Sequence, residues 1–171
     1  MSYFNQFGTI LYDPAGDGSA KLCTDILSRV RIRASMKKEI VMLDTYAVKE
    51  NETPEIVADK HHGSPYYHWI IMLLNDISDV NHDWVKSTRQ MQKYLLSKYT
   101  EVQLTETHHY EISQTSGDTT TTIEVENSTY PSASIVTNYE YEVALNDSKR
   151  EIDLLRNDYL AFFVDEFQSS I

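Results

Sequence analysis

Two helix starts, placed close together at Thr53-Pro54-Glu55 and Ser64-Pro65, constrain this chain more than any other feature of its sequence. A threonine ahead of a proline can accept a hydrogen bond from the free N–H groups of a first helical turn. The proline already holds φ near its helical value, and a glutamate in that turn favours the positive end of the helix dipole. Ile56, Val57 and Ala58 supply apolar surface, and Gly63 can end the helix in a left-handed conformation. Ser64-Pro65 then repeats the device and opens a second helix, Tyr66 to Leu74, with Asn75 just past its end. That helix is apolar almost all round, which suits burial between layers. The stretch 39–48 is rich in β-branched and aromatic residues and reads as a strand ending near Val48. A further short strand is expected near Asp83 to Lys86. The sum is a compact β-α-α-β unit.

The flanking segments have a different grammar. Ser87 caps a third helix, with Gln90 completing a capping box, and Met91, Tyr94, Leu95 and Lys98 fall at helical spacing. His108 to Gln114 and Thr119 to Glu126 flank Thr115-Ser116-Gly117-Asp118 and read as a β-hairpin. In its second arm Thr121, Ile123 and Val125 face one side, and Thr122, Glu124 and Glu126 the other. Residues 127–134 form a polar loop. A helix near Asn138 to Lys149 follows, then an extended piece through Leu155 and a last helix from Asn157. Tyr159, Leu160, Phe163, Val164 and Phe167 make an apolar stripe on that last helix. At the other end, Phe7 to Tyr12 is extended, Asp13-Pro14 and Asp17-Gly18 mark turns, and a helix or strand begins at Leu22. The fold class is α+β. Its expected divisions are an N-terminal extended and basic segment, 1–42, the β-α-α-β unit, 43–88, and a helix, hairpin and acidic helical region, 89–171.

Charge and composition narrow the function. The chain has 171 residues, 41% of them hydrophobic, enough for a sizeable core. Residues 99–171 carry fourteen acidic and three basic side chains, the whole of the net charge of −11. Phosphate backbones require Lys and Arg to displace their counterions, so no nucleic-acid partner is expected. No unbroken apolar run is longer than the six residues of Trp69 to Leu74, far short of the ~20 residues that cross a bilayer, and no secretory signal is visible. With one cysteine, Cys23, a disulfide framework is excluded, and a soluble protein of a reducing compartment is expected, without a membrane partner. Arg29, Arg31 and Arg33 alternate with Val30, Ile32 and Ala34, which on a strand puts positive charge on one face. That face is either solvated or paired with acidic surface, of this chain's own C-terminal part or of a neighbouring subunit.

Residues Tyr46 to Lys60, with the Tyr-x-Val strand end, the polar turn and the helix led by Thr53, resemble the opening of a LysM domain, and Asn75 matches the end of its second helix. Thr53-Pro54-Glu55, Gly63, His68-Trp69-Ile70-Ile71, Asn75-Asp76 and Asp83-Trp84 appear in an order similar to the small baseplate wedge subunit of T-even-type contractile phage tails, the gene product fifty-three family. His109-Tyr110-Glu111, Asn138 to Glu142 and Lys149 to Ile152 extend the resemblance to the C-terminal region. It implies a structural role, joining neighbouring wedge proteins in a hetero-oligomer, with the virion tail baseplate as its site and the host cytoplasm as the place of assembly. A LysM module recognising peptidoglycan or chitin-type N-acetylglucosamine polymers is the alternative. The Pro-Gly-Gln-type ending of glycan-binding LysM modules is absent, since residues 78–84 read Ser-Asp-Val-Asn-His-Asp-Trp.

Reactive chemistry finds little footing. His61-His62 and His108-His109 invite a metal, but adjacent histidines diverge by about 100° on a helix and point to opposite faces on a strand. Neither pair chelates alone, and no metal or cofactor is expected. His68 reads as a hydrogen-bonded structural histidine. No nucleophile elbow, phosphate-binding glycine loop or positioned acid–base pair is present, so no catalysis and no small-molecule substrate are expected. Tyr46, Val48, Ile56, Trp69, Leu73 and Trp84 are the expected core of the LysM-like unit. Tyrosine combines contact area with a hydrogen-bonding tip. Tyr66, Tyr67, Tyr139, Tyr141 and Tyr159, with Phe163, Phe167 and the three arginines, are therefore the candidate subunit interface.

Overall fold

The computed structural model describes residues 3–27 and 40–169. They are mixed helix and strand, divided into two compact units: residues 1–84 with 151–171, and residues 85–150.

In the first unit, β1 (Thr9–Tyr12) and β2 (Lys21–Thr24) form an antiparallel ribbon with Leu11 opposite Leu22. Asp13 supports the intervening turn, its carboxylate accepting from the N–H groups of Ala15, Gly16 and Gly18. The strand β3 (Leu43–Ala47) leads into α1 (Pro54–His62), which begins as its sequence requires. The Thr53 hydroxyl accepts from the Ile56 N–H, and Pro54 occupies the first turn. Gly63 closes the helix at φ 73°, its N–H donating to the Asp59 carbonyl. Gly63→Ala, forcing a Cβ into that left-handed conformation, is expected to cost about 1 kcal/mol, measured as a lower denaturation midpoint.

Ser64-Pro65 opens a 3-10 turn (Pro65–Tyr67) that passes directly into α2 (His68–Leu74). The expected helix from Tyr66 is thus split between two windings. Helix α2 ends with Asp76 at φ 55° while the Ile77 N–H reaches back to the Met72 carbonyl. This is the six-to-one bond of a Schellman ending.

The strand expected near Asp83 to Lys86 is not there. Val80–Asp83 is a single helical turn, α3, capped by Asp79. The partner of β3 comes from much later in the chain, β7 (Glu151–Leu155), antiparallel with Leu43 opposite Leu155 and Ala47 opposite Glu151. Asn75 fixes that choice. Its amide donates to the Asp153 carbonyl at 2.9 Å and accepts from the Asp153 N–H at 2.8 Å, occupying the edge of β7 as another strand would. Ile152 and Leu154 alternate inward from β7. A 3-10 turn and α7 (Leu160–Ser169) follow, and Phe163, Val164 and Phe167 close a core with Phe7, Trp69, Ile70, Leu74 and Leu155.

The second unit starts with α4 (Thr88–Lys98), whose capping box joins Ser87 and Gln90 as expected, and α5 (Glu101–Leu104). The hairpin is β4 (Thr107–Ser116) and β5 (Thr119–Val125), joined by Gly117-Asp118. Gly117 supplies φ 61° at the first central position of this two-residue turn. Residues 134–137, from the end of the expected loop to just before the expected helix, form β6 (Ser134–Thr137) on the other side of β4, so the sheet order is β5-β4-β6. Helix α6 (Asn138–Ser148) follows, capped by Thr137 and Glu140. Its Asn146 amide brackets Lys86, accepting from the backbone N–H and donating to the carbonyl.

Candidate interaction surface

The loop after β3 is organised around a carboxylate. Glu52, buried, follows Asn51 at φ 63° and accepts from the Tyr46 hydroxyl and the Lys49 N–H, both at 2.8 Å, and from Lys60 Nζ at 2.6 Å. Its backbone carbonyl accepts from Trp84 Nε1 at 2.8 Å. Burial pushes the Glu52 pKa up, but the bonds from Lys60, Lys49 and Tyr46 outweigh it and the carboxyl rests below its ordinary value. Of the expected core residues, Val48, Trp69 and Trp84 are buried, and Tyr46 and Leu73 are partly buried. Ile56 is not core: it stands 41% exposed. The buried face of α1 is Pro54, Val57 and Ala58, and position 56 lies about 200° round the helix from Pro54.

Of the expected interface residues, Arg29, Arg31 and Arg33 lie outside the described residues. Tyr66 and Tyr139 are exposed. Tyr67 and Tyr159 pack against the core of the first unit, half-buried. Tyr141 is half-buried and stacks on His108 at 3.9 Å between ring centres. Phe163 and Phe167 are corrected outright: both are buried, and Phe167 lies 4.6 Å from the Trp69 ring. The apolar stripe of α7 is taken up by its own unit.

Exposed apolar surface collects elsewhere. The β1–β2 ribbon shows Leu11, Tyr12 and Leu22 to solvent, and the chain beyond it shows Ile26 and Leu27, with Leu11 73% and Leu27 79% exposed. A two-stranded ribbon is marginal alone in water, and apolar side chains grouped this way mark contact surface. The readable signal was the pairing of Leu11 with Leu22 across a turn, but only once 21–24 is taken as a strand.

The pair His108-His109 behaves differently from its sequence expectation. A bulge between Thr107 and His109 interrupts the β4–β6 register, and His108 Nδ1 and His109 Nδ1 meet at 2.8 Å instead of pointing to opposite faces. One ring must donate and the other accept. His68 Nδ1 donates to the Pro65 carbonyl at 2.9 Å, as a structural histidine should. His62 Nδ1 donates to Asn157 Oδ1 at 2.9 Å, and Asn157 Nδ2 donates to the His61 carbonyl, pinning the turn before α7 to the end of α1. Among the described residues, no three His, Cys, Asp or Glu side chains are grouped to hold a metal ion. Nor is any described helix long and apolar enough to cross a membrane.

Burial lowers the His62 pKa, the Asn157 bond raises it and the neighbouring His61 lowers it, leaving it below the ordinary value. A folded state that takes up this proton less readily keeps its full stabilisation above the unfolded value of about 6.5 and loses it as pH falls through the folded one. The thermal midpoint should therefore decline on acidification below about pH 6.5. His62→Gln should flatten that slope, and an identical slope in the variant would assign the effect elsewhere.

What the described residues offer is contact surface on an α+β scaffold with capped short helices. A family model, base plate wedge protein 53, matches residues 22–132, well over half of the sequence, and the chain belongs to that family. The baseplate wedge protein gp53 of Enterobacteria phage T4 is 30% identical to it over 60 residues, 35% of this chain and 31% of that protein. The aligned stretch thus spans about a third of the relative's length.

Proposed function

We propose that this chain is a structural subunit of a phage tail baseplate wedge that joins neighbouring wedge proteins in a hetero-oligomer during baseplate and tail assembly. The family match over residues 22–132 carries the reading. The exposed apolar side chains support it, since association would cover Leu11 and Leu22 of the ribbon and Ile26 and Leu27 beyond it. The role is binding, without turnover of a substrate. Assembly takes place in the host cytoplasm and the working site is the virion tail baseplate. We read the LysM-like unit as β3, α1 and α2 closed by β7, with Asn75 seating the late strand, so that it extends beyond residues 43–88.

The test is reconstitution with the other wedge proteins of the same phage. Wild type should join a wedge intermediate, and Leu22→Asp with Leu27→Asp should join at least about tenfold more weakly while keeping the native circular-dichroism spectrum. Binding to N-acetylglucosamine oligomers, with no wedge protein captured, would favour the glycan-binding alternative and overturn this one.

A further inference from the structure

The bulge in β4 brings two imidazoles to one point. Strict alternation along a strand would send His108 and His109 to opposite faces, and the irregularity between Thr107 and His109 undoes that separation. Their Nδ1 atoms meet at 2.8 Å, with the ring planes 83° apart. Both rings are supported from the side. Tyr141 of α6 lies flat on His108, 3.9 Å between ring centres and 9° between planes, and meets His109 edge-on at 6.0 Å. The Glu111 carboxylate stands 3.7 Å from His109 Nε2.

That carboxylate favours a proton on His109 Nε2, which leaves Nδ1 of the same ring as the acceptor. His108 is then the ring whose Nδ1 donates. Because His108 is exposed, its proton can move to Nε2, which donates to water instead. Two imidazole lone pairs then face one ion, and no net proton is released. Imidazole nitrogens bind divalent transition metals at about 2.0–2.1 Å. Two of them at a right angle stand about 2.8–3.0 Å apart, and at a tetrahedral angle about 3.3–3.4 Å apart. The observed 2.8 Å matches the right angle, which Cu2+ and Ni2+ prefer and Zn2+ does not. A carboxylate behind a ligating histidine raises the basicity of the ring and helps to fix its orientation.

We propose that His108 and His109 form a two-nitrogen site for Cu2+ or Ni2+, chelated through both Nδ1 atoms, with water at the remaining positions. Two of the ion's waters leave as the nitrogens arrive. The site goes beyond the wedge-subunit reading and does not depend on it.

Titration of the untagged full chain with Cu2+, read by electron paramagnetic resonance, tests the site. One ion per chain should bind with hyperfine splitting from two imidazole nitrogens, and the melting temperature should rise with metal concentration. Ni2+ should compete, and Mg2+ and Ca2+, which take oxygen ligands, should not. His108→Phe keeps a flat ring on Tyr141 and removes one ligand. Without metal it should keep the wild-type circular-dichroism spectrum, and it should bind Cu2+ at least about tenfold more weakly. His109→Gln should lose affinity in the same way, and Glu111→Gln by a smaller factor. His82→Gln, at an exposed histidine paired with Asp79, should bind as wild type does. No stoichiometric ion, a spectrum with one nitrogen, or an affinity indifferent to His108→Phe and His109→Gln would overturn the proposal, as would an equal loss in His82→Gln.

Discussion

Trp69→Ala is expected to lower the unfolding free energy by about 3–5 kcal/mol, the usual range for removing a buried indole. The ring is buried on α2 against Phe163 and Phe167, with Tyr3 at 5.7 Å between centres, so nothing small can refill its volume. Denaturant unfolding reads the change as a lower midpoint, and an unaltered midpoint would take Trp69 out of the core. Trp69→Phe makes the comparison sharper. The indole Nε1 is buried without a hydrogen-bond partner among the described residues, so phenylalanine loses volume but removes an unsatisfied donor. It should lose less than half as much as alanine.

Glu142→Ala is the second large effect, about 2–4 kcal/mol. Glu142 is 2% exposed and accepts from Lys98 Nζ at 2.5 Å and from the Tyr99 hydroxyl at 3.1 Å. The full value for breaking a buried pair is discounted because the Lys98 side chain remains 46% exposed and can return to water. Burial raises the Glu142 pKa, yet the bonds from Lys98 and Tyr99 together hold it below the ordinary carboxylate range. Its stabilisation is thus complete above the unfolded value, about 4.3, and fades as pH falls through the lower folded value. An acid titration of stability should show this loss in wild type and a shallower one in Glu142→Ala. A double-mutant cycle with Lys98→Met separates the pair's coupling from the packing of either side chain.

The local grammar of the chain was open to reading, and the long-range pairing was not. The cap at Thr53, the left-handed Gly63, the Ser87–Gln90 box and the hairpin turn at Gly117 all depend on residues within a few positions of one another. Short-range sterics and hydrogen bonds decide such features, so they are written in sequence order. The partner of β3 lies about a hundred residues away, and no nearby signal distinguishes β7 from a strand at 83–86. Asn75 was visible as a helix end, but its amide's grip on Asp153 is a tertiary contact. The bulge at His108 defeated the alternation rule in the same way, because one extra residue turns a ring to the other side. For the interface, helical periodicity identified the stripe on α7 correctly and assigned it to the wrong customer, since a stripe has no label for what covers it.

The pairing of β3 with β7 sets a timetable for synthesis. A ribosome has delivered β3, both helices and all of residues 85–150 before it adds Glu151–Leu155. Residues 85–150 can settle while the earlier part of the chain still waits for its missing strand. A chain truncated after Arg150 should therefore protect the hairpin and α4 from protease while β3 and α2 stay cleavable, and a chain that also carries Glu151–Leu155 and α7 should protect both.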